Sequence, residues 1–420
     1  MQETIFHNIE QGNNVYVSFL DSSKAFDSVW RHGLFTKLYE MGVKGSLWSI
    51  IDDCHTNTVS AIVVNQIQSN WFPVLQGVRQ GGVLSSFLYL VYINELILNL
   101  EKSCINTGIF NITSNCPSLA DDIACIGITP ATLQQMLDTS YEYSRKWRFT
   151  FNAQKSSILQ IRAKGCKFNK DCAFNLGDTK IPCSDTYNHL GIVINNTLSD
   201  RILSACRKGQ KSYYALNDIG SNYLNPITLS HLYKSVVLPT VLYGCELWNN
   251  LSTSDCQRLN VFQHFICKNA QNLPTATRSD ICESLFNVIP IKSEIDVRKL
   301  LFLGRLCQMD PNSLPKKVFL TRLYSFLEGI SEKQRGFIPD VIDVLLTYNL
   351  LNYLQTWLTN CLFPSKYIWK KIVRSAVSTQ QKTQRDHRML SDSDCHRFLA
   401  LFYLDYSHEL IRNHVMQIYL

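Results

Sequence analysis

The chain has 420 residues, 45% of them hydrophobic, enough to bury the cores of two or three domains. Its net charge of +7 is uneven, with 6 Lys/Arg against 12 Asp/Glu in residues 1–140 and 8 basic groups against Glu142 alone in 142–170. Fifteen cysteines without a Cys-x-x-Cys pair argue against a disulfide framework, the apolar stretch 83–100 is broken by Ser85, Ser86, Asn94 and Glu95, and Met1-Gln2-Glu3 opens no signal peptide, so an intracellular chain without a membrane span is expected, in nucleus and cytoplasm.

A β-branched and aromatic run predicts a strand over 15–20 that ends at Asp21 and the Ser22-Ser23 pair. Helices are predicted over about 28–41 and 45–54, then paired strands at 59–64 and 70–75. Residues 82–100 read as a long helix apolar on most faces and hence largely buried. Strands are expected at 109–112 and at 118–126 around the Asp121-Asp122 turn. A helix follows to about Arg148, with Thr129 as N-cap and Pro130 at its first position. Strands near 157–162, 172–176 and 187–194 complete an α+β unit, an antiparallel sheet backed by helices. From Leu198 the pattern is helical, first over 200–219 and 226–237, where Arg201, Arg207, Lys208, Lys211 and Lys234 are available to a duplex backbone. Helices continue to residue 420 with breaks at Pro274, Pro290, Pro311, Pro315, Pro339 and Pro364. The span 366–397 carries 8 basic groups against Asp386, Asp392 and Asp394, so an acidic first half is flanked by basic tracts suited to phosphate backbones.

The adjacent carboxylates of Ser118-Leu119-Ala120-Asp121-Asp122-Ile123 lie between apolar residues, as at the tip of a hairpin. Two charges ~4 Å apart repel by roughly 4 kcal/mol at an effective dielectric of ~20, so such a pair needs a cation or a proton. An Asp-Asp turn is the plainer alternative. Asp21, at the end of the first strand, can join the pair in an oxygen cage for magnesium, which prefers hard ligands, waters and substrate phosphates.

Phe19-Leu20-Asp21 with Lys24-Ala25-Phe26-Asp27 resembles motif A of reverse transcriptases from non-LTR (LINE- or jockey-type) retrotransposons. Leu75-Gln76-Gly77-Val78-Arg79-Gln80-Gly81-Gly82-Val83-Leu84-Ser85 is similar to motif B, and Ala120-Asp121-Asp122 to the core of motif C. Phe151-Asn152-Ala153-Gln154-Lys155-Ser156 resembles motif D, and Tyr187-Asn188-His189-Leu190-Gly191 the strand that grips the primer. Five motifs in the family's order span about 180 residues, and 233–248 resembles the region that follows the polymerase core; beyond 275 nothing is diagnostic.

The resemblance implies a palm with partial fingers over 1–195, a helical thumb-like region over 196–272 and a helical C-terminal region over 273–420. It implies an RNA-directed DNA polymerase that joins dNTPs to a primer 3′-hydroxyl on an RNA template, with two Mg2+ ions (or Mn2+ in their place) held by Asp21, Asp121 and Asp122. Asp21 and Asp121 are the firmer ligands in this reading and Asp122 the looser one. Phe26 stands where the family carries an aromatic sugar gate, with a core residue as the bland alternative. Gln80 and Gly81 fall at the nucleotide, Lys155 at the pyrophosphate, and Leu190-Gly191 in a tight turn under the primer end.

Three departures stand out. Leu119 replaces the usual tyrosine before Ala-Asp-Asp, Ser86 replaces the usual proline after Leu-Ser, and motif A begins by residue 19. The last suggests a 5′-truncated element or a fragmentary gene model, with fingers, and in many members of the family an endonuclease, in an upstream polypeptide; the first two remove no metal ligand, so activity of the chain alone stays open. A catalytically silent remnant that only binds RNA or DNA is the second reading; a group II intron maturase or telomerase-like polymerase fits the motifs less well. Cys361, His387, Cys395 and His396 have no common zinc spacing.

Overall fold

The computed structural model describes residues 1–103, 107–166, 172–195, 198–218, 224–330 and 334–391, in two compact units, Met1–Asn196 and Thr197–Leu420. In the first, α1 (Gln2–Glu10) and β1 (Val15–Leu20) precede α2 (Arg31–Glu40) and α3 (Ser46–Asp53). Four two-residue strands follow, β2 (Val59–Ser60), β3 (Val63–Val64), β4 (Ile67–Gln68) and β5 (Phe72–Pro73), then α4 (Ser85–Ser103). Next come β6 (Ser118–Leu119), β7 (Asp122–Gly127), α5 (Pro130–Lys146), β8 (Ser157–Ile161), β9 (Phe174–Leu176), β10 (Thr179–Ile181), β11 (Cys183–Ser184), β12 (Thr186–His189) and β13 (Ile192–Asn195).

The main sheet has the order β11-β8-β1-β7-β6, antiparallel except where β11 joins β8. All six residues of β1 are buried because both faces of the strand are covered. Tyr16 and Leu20 join a core with Leu88, Tyr92, Leu96 and Leu137 of α4 and α5. Val15, Val17 and Phe19 point the other way, into a core with Ile5 of α1 and Ile194 of β13. This period-two division makes β1 the axle of the unit and fixes the register of whatever follows Leu20. The expected cap of α5 is present, with Thr129 Oγ1 accepting the Thr132 N–H at 3.1 Å.

Two expectations are corrected here. The paired strands at 59–64 and 70–75 are two separate two-residue ladders, β2 with β5 and β3 with β4, whose Val63, Val64 and Ile67 side chains are exposed. No described layer covers them, so the apolar pattern does not extend the ladders. Nor is α4 buried on every apolar face: Leu88, Tyr89, Tyr92 and Leu96 face the sheet, while Phe87, Leu90 and Leu98 are exposed. α2 and α5 flank the helix and bury Val91 and Ile93 as well, so a single apolar stripe is left to solvent.

The second unit is helical throughout its described residues: α6 (Leu198–Asp218), α7 (Pro226–Leu232), α8 (Leu238–Val241), α9 (Thr253–Ala270), α10 (Ser279–Leu285), α11 (Ile291–Gln308), α12 (Leu314–Leu327), α13 (Phe337–Thr347), α14 (Leu351–Asn360) and α15 (Lys366–Ser391). A π-helical turn at Tyr233–Val237 joins α7 to α8, where Pro239 lacks the N–H that would bond back to residue 235. One core runs from Ile202 through Ile266 to Ile295, and a second from Val297 through Leu323 and Val344 to Val377, so α11 serves both. Pro315 and Pro339 fall inside the first turns of α12 and α13, where a missing N–H costs nothing, and begin helices rather than break them. No helix among the described residues is long and apolar enough to cross a membrane.

Candidate active site

β1 ends on Asp21, and the segment 150–156 clamps that end by its backbone. The Asp21 N–H donates to Ser156 Oγ at 3.1 Å, and the Asp21 carbonyl accepts the Asn152 N–H at 2.8 Å. Asn152 Oδ1 in turn accepts the N–H groups of Gln154 and Lys155 at 3.1 and 3.2 Å, which shapes the turn on which exposed Lys155 rides. Lys155 thus stands on the segment bound to the Asp21 backbone.

On the other side of β1 the β6–β7 hairpin turns through Ala120 and Asp121, with Leu119 paired to Asp122 and Ala120 in the left-handed region at φ 54°. The turn is therefore at Ala120-Asp121, one residue earlier than the Asp121-Asp122 turn expected from sequence, and Asp122 opens β7. The last pair between β1 and β7 is Leu20↔Ile123. One step beyond it along the same register stand Asp21 and Asp122, with Asp121 next in the turn. Asp21 and Asp121 are half-buried and Asp122 is exposed. Among the described residues no three of His, Cys, Asp and Glu form a group that could hold a metal ion.

The neighbouring hairpin of β12 and β13 turns through Leu190 and Gly191, at φ 51° and 78°, the tight turn expected there and one that favours glycine. Its strand packs on the sheet: Tyr187 stacks on Phe19 at 4.2 Å and 8°, and His189 lies 5.0 Å from the same ring. Burial and the charges of Asp122 and Asp21 all raise the Tyr187 phenol above its ordinary range, so both carboxylates lie near this hairpin. Burial lowers the His189 imidazole.

Phe26 is half-buried and leans on Tyr89 of α4, ring centroids 5.3 Å apart. Burial, with the nearby Asp121 charge, pushes the Tyr89 phenol up to about 12. Its oxygen and Ser22 Oγ are buried close together, and the Ser22 hydroxyl holds the phenol down in part. The loop bearing Gln80 and Gly81 hangs from this segment by backbone contacts, Gly77 N–H to Val29 O at 2.9 Å and Val78 N–H to Phe26 O at 2.8 Å. Gln80 and Gly81 are exposed, and space beside Gly81 is open. The leucine at 119 is 61% exposed, so the missing tyrosine hydroxyl opens no hole in the core.

Sequence reasoning missed the residue that fastens this loop. Arg31 Nε donates to Gly77 O at 2.9 Å, and its Nη1 donates to Val74 O at 2.8 Å, to Thr58 Oγ1 at 3.0 Å and to His55 O. Its only sequence signal is a lone cation just after an aromatic stretch. The buried Lys37 was also missed; it bonds Glu95 at 2.9 Å and sits 3.8 Å from the centroid of the Trp147 ring. Of the cations expected to meet a duplex, Arg207, Lys208 and Lys211 of α6 are exposed. Lys167, Lys170, Asp392, Asp394, Cys395, His396 and the His387 side chain lie outside the described residues.

Residues 2–194 match the family model described as reverse transcriptase (RNA-dependent DNA polymerase). The RNA-directed DNA polymerase from mobile element jockey of Drosophila melanogaster is 23% identical over 313 residues, covering 72% of this chain and 33% of that protein. The Pol polyprotein from type-2 retrotransposable element R2DM of the same species is 22% identical over 339 residues, covering 79% of this chain and 31% of that one. A telomerase structure from Candida albicans aligns with a TM-score of 0.34 at 10% identity, over 71% of this chain and 49% of that chain. The chain spans about a third of the length of the curated relatives it matches. The resemblance carried by the five motifs thus extends over the first unit.

Proposed function

We propose that this chain, whose residues 2–194 match the reverse-transcriptase family, is the polymerase portion of a non-LTR retrotransposon protein. It extends a DNA 3′ end along an RNA template with dNTPs. One observation carries the reading: Asp21 and Asp122 stand one step past the Leu20↔Ile123 pair, with Asp121 in the adjoining turn. Acids a hundred residues apart in sequence come to one end of the sheet, between the Lys155 turn and the Leu190-Gly191 hairpin.

Magnesium fits this donor set in a particular way. The ion is commonly held by one or two carboxylates plus waters and substrate phosphates, and it does not need a cage built by protein alone. Asp21 with Asp121 or Asp122 would supply the carboxylates, and the nucleotide the rest. Bound there, two ions would lower the pKa of a primer 3′-hydroxyl and neutralise the charge on departing pyrophosphate. The chain's own groups do the positioning. Phe26, braced by Tyr89, would lie under the sugar; Gln80 and Gly81 leave open space for the nucleotide; Lys155 brings a cation towards the phosphates; Leu190-Gly191 would set the height of the primer end. An upstream polypeptide would complete the fingers.

The second reading, a silent binder of RNA or DNA, is favoured by the exposed cations Arg207, Lys208 and Lys211, which need no metal to meet a phosphate backbone. Primer extension by the purified chain on poly(rA)·oligo(dT) with Mg2+ separates the two. Incorporation that disappears in Asp121→Asn supports the polymerase. Binding of nucleic acid with no incorporation on any template, unchanged in Asp121→Asn, supports the remnant.

A further inference from the structure

We infer that the outer face of α15 binds the phosphate backbone of a nucleic-acid duplex, as a contact of the second unit separate from the carboxylate edge. Residues 366–384 contain five Lys/Arg and no Asp/Glu. Lys366, Lys370, Lys371 and Arg374 are all exposed, and among the described residues none of them forms an ion pair. Lys366, Lys370 and Arg374 fall at i, i+4 and i+8, one above another on the helix, with Lys371 alongside. Over eight residues they cover ~12 Å, and exposed Lys382, eleven residues on from Lys371, extends the Lys371 side by ~16 Å.

The neighbouring stripe, three residues on from each of Lys366, Lys370 and Arg374, holds the helix rigidly. Trp369, Val373 and Val377 are buried, Trp369 Nε1 donates to Leu300 O at 2.7 Å, and Gln381 Nε2 donates to Ser293 Oγ at 2.8 Å. The charges therefore sit at fixed positions, in two adjoining rows of one rigid helix. Folding does not favour them: like charges at i, i+4 repel, and Lys366 occupies a first turn, where the helix dipole favours anions. An external polyanion relieves both.

Rigidity selects the partner. A duplex is stiff and carries one charge per ~1.7 Å of axis, so it can meet a fixed row of cations at once, whereas a single strand must first be ordered. A bilayer surface fits less well, because Trp369, Val373 and Val377 are committed to the protein core and leave, among the described side chains of the helix, only Tyr367 and Ile368 as large apolar groups to enter lipid.

The test uses the full chain, fluorescence anisotropy with an RNA–DNA hybrid of about 24 base pairs at ~3.4 Å per pair, and a salt titration. In Lys370→Gln/Lys371→Gln/Arg374→Gln, the slope of log K against log[salt] should fall by about 2.7, at ~0.9 per phosphate, and affinity near 0.1 M salt by up to about 500-fold. Glutamine keeps helix propensity, so the thermal midpoint should hold, and Lys370→Arg/Lys371→Arg should keep wild-type binding. An unchanged slope in the triple variant overturns the inference. So does tighter binding of single strands, or charge-dependent binding to vesicles of equal phosphatidylserine and phosphatidylcholine in place of the duplex. The inference rests on a nucleic-acid role for the chain but not on catalysis. Asp121→Asn should leave the slope alone, and a chain that shows the slope change yet incorporates no nucleotide retains the ridge and loses the polymerase.

Discussion

Gly77→Ala asks what holds the loop that presents Gln80 and Gly81. Gly77 has φ +87°, and a Cβ there would lie 2.7 Å from the carbonyl oxygen of Asp27 and 2.9 Å from its Cα. Both are backbone atoms of the segment that follows Asp21, so no side-chain rotation relieves the overlap. The left-handed backbone alone costs an alanine about 1–2 kcal/mol. A loop pushed away also loses the bonds from Gly77 to Val29 and from Val78 to Phe26, worth about 0.5–1.5 kcal/mol each. The total, about 2–5 kcal/mol, is spent more cheaply by local release than by unfolding the sheet. Deuterium exchange should therefore rise over 74–82 while β1 and β7 stay protected. If the loop serves the nucleotide, primer extension should fall at least ~10-fold through a higher dNTP KM rather than a lower kcat. Wild-type exchange in that loop together with an unaltered KM would refute the reasoning.

Arg31→Met should loosen 54–58 and 74–77 together, because one guanidinium serves carbonyls of both, at a cost of about 2–4 kcal/mol by chemical denaturation; Arg31→Lys should rescue little, since lysine lacks the fork. Gly304→Ala should lower the stability of the second unit by about 1–3 kcal/mol, against the gain alanine normally brings to a helix interior, because its Cβ would sit 2.4 Å from Trp369 Cδ1. A thermal midpoint raised in that variant would contradict the packing. His189 is held below its ordinary 6.5 by burial, so the unfolded chain takes up the proton first: its contribution to stability is full above that pH and is lost as pH falls. The midpoint of the first unit should drop between pH ~7.5 and ~5.5, and His189→Gln should flatten that dependence.

What was legible in the sequence follows from how local each signal is. The strand Val15–Leu20 and the Thr129 cap are written in neighbouring residues, and both stand as expected. The motif spacing brought out Asp21, Asp121 and Asp122, but not their registration, which depends on β1 choosing β7 and β8 as neighbours. The reach of Arg31 was illegible because its partners are carbonyls up to 46 residues away, and carbonyls leave no mark in a sequence. Tyr89 looked like one more apolar residue of α4; only the approach of Phe26 and Asp121 sets it apart. The exposed side of α4 was misjudged for the same reason, since composition reports how apolar a helix is and not how many layers cover it.

The placement of the carboxylates has its own logic. Charges buried together without a partner would cost far more than a marginally stable unit can spare. Here the sheet lends its rigidity while the acids stay at its end, with Asp122 open to solvent and Asp21 fastened through its backbone rather than its carboxylate. On the polymerase reading the side-chain oxygens are thus left for metal and substrate. The proposed centre, completed by substrate phosphates, would be well served by this division, in which folding fixes where the backbone stands and binding decides what the carboxylates hold.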